Sequence, residues 1–185
     1  AAALAEKMEA ELVGLNFADA KLAIAVEPLP TPGENGADRV EILVSTNKGQ
    51  PLKPLAKIAS GGEMSRIMLA LKNIISSYDR IPTLIFDEID TGIGGNIVVK
   101  VGEKLAAVSR YAQVICVTHS PQIAALADRH FRIQKTITGE ETITSVVALE
   151  PEQQVVELAR MLGGEAEFQL RLAAGLQRTA APPNG

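Results

Sequence analysis

Apolar residues recur along this chain with different periods, and each change of period marks a boundary. In residues 1–13, Leu4, Met8 and Leu12 repeat at helical spacing with Glu6, Lys7, Glu9 and Glu11 between them, which predicts a short amphipathic helix or the returning end of a longer one. Thirteen residues are too few to establish a heptad. Leu22, Ile24 and Val26, then Val40, Ile42 and Val44, recur at every second position, the pattern of strands with one apolar face. Residues 28–36 between them contain Pro28, Pro30, Pro32, Gly33 and Gly36, which predicts an exposed loop.

From Ser60 onward, helical periods alternate with short apolar runs. Met64, Ile67, Met68, Leu71, Ile74 and Ile75 predict a helix to about residue 77. The run 83–86 has no polar alternation, as expected of a strand covered on both faces. Ile97, Val98, Val101, Leu105 and Val108 predict a crossover helix before a second apolar strand, residues 113–118. A short helix over 121–127 follows. Strands about Phe131 and Ile133 and over 143–149 come next, joined by a hairpin turn at 138–141. Helices over 152–162 and 165–176 are separated by Gly163 and Gly164, and residues 179–185 are expected to be a disordered tail. The order predicts an α/β fold with a largely parallel sheet flanked by helices, plus peripheral antiparallel strands. In domain terms, a helical end (1–13) precedes one body (14–178) and the tail.

Composition adds bounds. At 185 residues, 46% of them apolar, the chain can fill the core of one domain, and with no Trp the packing falls to aliphatic side chains. Cys116 is the single cysteine, so no internal disulfide forms and a reducing, cytoplasmic setting is expected. No apolar run approaches the roughly eighteen residues of a membrane span, so no membrane partner is expected. The first Met is Met8, so the chain is expected to be a piece of a longer protein. A net charge of −4 leaves no basic surplus for nucleic acid. Lys48, Lys53 and Lys57 share one Pro-containing connection, which reads either as a local nucleic-acid contact or as a solvated loop.

Three separated segments carry candidate chemistry. Ser60-Gly61-Gly62-Glu63 opens a helix, and S-x-x-E alone is a capping box. The box leaves Gly61 and Gly62 unexplained, since each costs about 1 kcal/mol relative to Ala in a helix. Adjacent glycines in a first turn suit a group that must approach the free amides closely, and a helix N-terminus favours an anion such as phosphate. Asp87 and Glu88 follow an uncharged strand at its carboxyl end, where open α/β sheets bind ligands. Strand alternation sends the two side chains to opposite sides, so one carboxylate can hold Mg2+ through water while the other reaches the water that attacks phosphorus. Asp90 and the glycines Gly92, Gly94 and Gly95 make a tight loop before the next helix. His119 ends the second strand, 31 residues after Glu88, which fits one strand-helix-strand unit and places both on one sheet edge. A fourth part is missing: none of the fifteen glycines is followed by lysine, so no G-x-x-x-x-G-K-[ST] phosphate loop exists here.

The ordered set, SGGE, a strand ending in Asp87-Glu88, Asp90 before Gly92, and Thr118-His119 after another strand, resembles the second half of an ABC-type ATPase head, a P-loop NTPase-like fold. Glu63, where transporter subunits carry Gln, is similar to the SMC-like chromosome and DNA-repair branch. The resemblance runs from about Leu15 to Gly164, and the longer strings 58–66 and 86–95 carry most of it. It implies ATP and Mg2+ as cofactors. It further implies that Ser60, Gly61, Gly62 and Glu63 bind in trans the nucleotide held by a second head, that Asp87 serves the metal, and that Glu88 polarises the attacking water. Asp90 would lie at the dimer seam, and His119 would be the switch histidine. The implied partners are an N-terminal half of the same head with its P-loop and Q-loop, a second head in a homodimer, and DNA, the last by resemblance alone. A bacterial, nucleoid-associated setting goes with it. Other readings are a chromosome-organising head of the same branch, a nucleotide-dependent dimerisation module without turnover, and a transporter subunit, which Glu63 disfavours.

Overall fold

Eleven residues into the chain the predicted helix is still running: α1 (Ala2–Val13) buries Met8 and Leu12 completely. The computed structural model describes residues 1–34, 36–58, 60–138, 141–164 and 166–180. The chain divides into two units, residues 1–117 and 118–185.

In the first unit, α1 is sewn to β1 (Lys21–Gly33) by Glu9, whose carboxylate accepts from the Leu22 amide at 2.8 Å. β1 pairs antiparallel with β2 (Gly36–Ser45), Leu22 opposite Val44 and Ile24 opposite Ile42, and β2 also pairs with β3 (Lys53–Pro54). The apolar face holds only at the base of this hairpin, where Leu22 and Val44 are buried; Val26 and Val40 are exposed. The expected loop at 28–36 is largely strand, since β1 runs on to Gly33 and β2 starts at Gly36, with a register shift between Pro28 and Gly33. Three prolines are tolerated because β1 is an edge strand and lacks a neighbour on one side. Asn35 lies outside the described residues.

A 3-10 turn, Leu55–Lys57, leads to α2 (Gly61–Ile75), β4 (Thr83–Phe86), α3 (Asn96–Val108) and β5 (Gln113–Cys116). β4 and β5 are parallel, in register from Thr83 opposite Gln113 to Phe86 opposite Cys116, with α3 as the predicted crossover. The core gathers Ile67, Leu69, Phe86, Ile89, Val101 and Val108, each buried. Burial of such a side chain contributes roughly 1.5–3 kcal/mol. An ion pair between Lys104 and Glu11 ties α3 to α1. The expectation of a strand covered on both faces does not hold: Phe86 is 4% exposed, but Ile85 is 70% exposed. Successive side chains point to opposite faces, and among the described residues the Phe86 face meets the core while Ile85 and Ile115 are exposed.

The second unit holds α4 (Pro121–Ala124), the antiparallel pair β6 (His130–Thr138) and β7 (Glu141–Leu149), α5 (Pro151–Met161) and α6 (Glu167–Ala180). Ala125, Leu158, Ala159 and Ala173 form its core, packed by Leu162 and Leu170. Residues 139 and 140 of the expected hairpin turn lie outside the described residues, as do 181–185 of the expected tail; Thr179 and Ala180 belong to α6. Among the described residues parallel pairing is confined to β4 and β5, beside two antiparallel sheets. No described helix is long and apolar enough to cross a membrane.

Candidate active site

Ser60 caps α2 as its sequence predicts, its Oγ accepting from the Glu63 amide at 3.4 Å. The two glycines after it have a reason that periodicity alone does not supply. A Cβ on Gly62 would lie 2.7 Å from the Glu88 carbonyl oxygen and 3.2 Å from Thr91, and one on Gly61 would lie 3.0 Å from Glu88 Oε2. The group that approaches these glycines closely is therefore the chain's own acidic loop. The Glu88 carboxylate thus lies beside Gly61 in the first turn of α2.

Glu88 has a φ of +55°. That left-handed conformation costs a non-glycine residue on the order of 1–3 kcal/mol and persists only where the surroundings dictate it. Here they do. The Glu88 carbonyl accepts from the Thr91 amide at 3.0 Å and packs under Gly62. Strand alternation therefore does not set the directions of Asp87 and Glu88: β4 ends at Phe86, and the chain turns back at Glu88 toward α2. Both carboxylate residues are exposed.

The next carbonyls of this loop are held by side chains of α2. Ser65 Oγ donates to Asp87 O at 2.8 Å, and one terminal nitrogen of Arg66 donates to Ile89 O at 3.1 Å and to Thr91 O at 2.9 Å. Arg66 is 4% exposed, and its guanidinium stands 5.4 Å from the centre of the Phe17 ring. Burial lowers its pKa from the ordinary arginine value, opposed by the charges of Glu63 and Asp90. The side chain remains a cation. Periodicity gives Arg66 no role, and its apolar positions in this helix are Met64, Ile67, Met68, Leu71, Ile74 and Ile75. The buried face is centred instead on Gly62, Arg66, Ile67, Leu69 and Ala70. The available signal was Gly62, Arg66 and Ala70 at i, i+4 and i+8, a small-charged-small stripe whose middle residue finds main-chain acceptors.

Beside this clamp lies a polar cleft of about 230 Å3 lined by Asn47, Ser60, Glu63, Arg66, Thr91 and Gly92, among others. Arg66 Nε is buried there without a hydrogen-bond partner among the described residues. Burial first, then the charges of Asp90 and Asp87, push the Cys116 thiol up to about 12, which disfavours the thiolate. Val117 N donates to Phe86 O at 2.9 Å, so the two strands leave the sheet at one edge. His119 follows, exposed, at the start of the second unit and ahead of α4. Of the predicted site residues, Ser60, Gly61, Gly62, Glu63, Asp87, Glu88 and Asp90 all lie in the first unit, and contacts join the acidic loop to the opening of α2. Lys48, Lys53 and Lys57 are exposed, on β3 and the turns around it.

The chain is 52% identical over 141 residues to the DNA repair protein RecN of Treponema pallidum (strain Nichols), covering 76% of this chain and 25% of that protein. It is 41% identical over 177 residues to the DNA repair protein RecN of Streptomyces coelicolor, covering 89% of this chain and 31% of that one. This stretch of sequence belongs to the RecN family. It spans a quarter to a third of the length of these RecN relatives. No protein-family model matches the chain. Among solved structures, the Smc head domain with a coiled coil and joint from Pyrococcus yayanosii superposes with a TM-score of 0.56 at 24% identity, over 86% of this chain and 29% of that one. The chain thus has the fold of an SMC-like ATPase head, α/β with parallel and antiparallel sheets.

Proposed function

We propose that this chain is the C-terminal lobe of an ATP-hydrolysing head in a protein of DNA double-strand break repair, and that ATP closes two such heads. The observation that carries the reading is the seating of Glu88, in a strained backbone conformation, against the glycines that open α2. Strain held in place by a surrounding clamp is characteristic of a group whose position matters to chemistry.

In this reading the amides of Gly61 and Gly62 and the Ser60 hydroxyl meet the terminal phosphate of a nucleotide held by the opposite head. Glu88 orients the attacking water, His119 donates to the terminal phosphate, and Asp90 lies at the seam between heads. Asp87 serves Mg2+, which supplies charge neutralisation on the phosphates when bound. The donor set fits that ion. Among the described residues no three His, Cys, Asp or Glu side chains gather into a cage, and Mg2+ takes one or two carboxylates beside water and phosphate oxygens.

The P-loop half is the required partner. Support for a covering layer comes from Ile85 and Ile115, both exposed on the parallel pair β4 and β5, because parallel sheets are ordinarily covered on both faces. Alone, the chain is expected to bind and turn over ATP negligibly. The DNA role rests on the RecN relatives' names. Combined with the P-loop half, Glu88→Gln should retain ATP-induced pairing of heads while hydrolysis falls roughly 10²-fold or more, the share usual for a positioned base. Turnover at the unaltered rate would remove Glu88 from the mechanism.

A further inference from the structure

The carbonyls of Asp87, Ile89 and Thr91 all accept from two adjacent side chains of α2, and the carbonyl between the first two, Glu88 O, accepts from Thr91 N. The acidic loop is therefore shaped from outside, carbonyl by carbonyl, by the helix whose first turn is Ser60-capped. We propose that Arg66 is a positioning residue for hydrolysis: by holding the carbonyls of Ile89 and Thr91 it keeps Glu88 in its left-handed conformation over Gly61, and Ser65 assists at Asp87. The inference rests on the role of Glu88 given above.

Three features make Arg66 specific to this task. Among the described residues its guanidinium donates to the main-chain carbonyls of Ile89 and Thr91, with the charges of Glu63 and Asp90 acting on it as well. It is buried, so its two hydrogen bonds meet little competition from water. The turn it holds packs tightly on α2, since a Cβ on Gly62 would lie 2.7 Å from the Glu88 carbonyl oxygen, so a small displacement of that carbonyl changes where Glu88 sits. Without Arg66 the turn loses two of its four anchors, and Glu88 can return to an unstrained φ in which its carboxylate no longer lies over Gly61. Arg66 would touch neither nucleotide nor water; it acts through Glu88.

The test is a double-mutant cycle on the chain combined with its P-loop half, with kcat and KM for ATP and head pairing as readouts. Arg66→Met keeps the volume and removes the donors. It should lower kcat roughly tenfold to a hundredfold, the scale of an ångström-sized misplacement, with KM and pairing nearly unchanged, and Arg66→Lys should recover part of the loss. In a Glu88→Gln background, Arg66→Met should cost no more than about twofold, because a group that acts through Glu88 has nothing left to position. Factors that multiply in the double variant, or a change confined to KM, would overturn the proposal while leaving the role of Glu88 intact. If Glu88→Gln itself turns over normally, both fall together. Should Arg66→Met fail to fold, Ser65→Ala, which removes only the bond to Asp87 O, goes through the same cycle with the same two opposed outcomes.

Discussion

Helices α2 and α5 both open on a polar cap, and their first turns are put to different uses. At α5, the Glu150 side chain accepts from the Gln153 amide, the Gln153 side chain accepts from the Glu150 amide at 2.9 Å, and Pro151 occupies the first helical position. The reciprocal cap and the proline at the first position both favour the helix start. At α2, Ser60 caps at 3.4 Å and the next two positions are glycines, each worse than Ala by about 1 kcal/mol. The second helical position shows the contrast best: Glu152 is exposed on α5, whereas Gly62 is buried under the Glu88 carbonyl on α2. One helix start is built for stability, and the other gives up stability so that a strained acidic turn can sit on it.

The largest effect that can break this comparison is Gly62→Ala. Helix propensity by itself would stabilise the chain by about 1 kcal/mol, but the new methyl would stand 2.7 Å from the Glu88 carbonyl oxygen. The net change in urea unfolding should be a destabilisation of about 1–3 kcal/mol, as for overpacked cores, and a gain would show that the turn is free to move. The matched change Glu152→Ala should stay within about 0.5 kcal/mol.

A smaller effect sharpens the stability side. Gln153→Ala removes one arm of the α5 capping box and should cost about 0.5–1 kcal/mol in the same unfolding measurement; no loss would mean that the box is ornamental.

The smallest effect concerns how the two helices use their charge. On α5, Glu157 has its pKa lowered first by the hydrogen bond from Arg160, with the charges of Arg160 and Arg132 adding, against burial. A depressed carboxylate contributes stability that is present above its ordinary value of 4.5 and is lost as pH falls through its folded value. Thermal unfolding followed downward from about pH 5 should therefore show a steeper fall for the unaltered chain than for Glu157→Gln, and parallel curves would sink the assignment. Arg66 on α2, by contrast, binds carbonyls, which do not titrate.

Much of this was legible without coordinates. The periods of 3.6 and 2 located α1, α2, α3, α5 and the principal strands, because burying one face of an element imposes its period on the sequence. The S-x-x-E cap, the acidic pair at a strand end and the His after the next strand were likewise visible, because each is a local pattern. The prolines of β1 misled, since their tolerance depends on β1 being an edge, which is a property of the sheet. Exposure of Ile85 misled for a similar reason: an apolar run announces that it should be covered, not by which chain.

What the sequence determined, then, is which groups are available and in what order along the chain: a capped glycine pair, two carboxylates, an imidazole, and no phosphate loop. What only the tertiary structure decided is why the glycines are there and what holds the carboxylates. The contacts between Gly62 and Glu88 and between Arg66 and the carbonyls of Ile89 and Thr91 span more than twenty residues. No local period encodes them; they exist because packing of the first unit's core brings α2 against the end of β4.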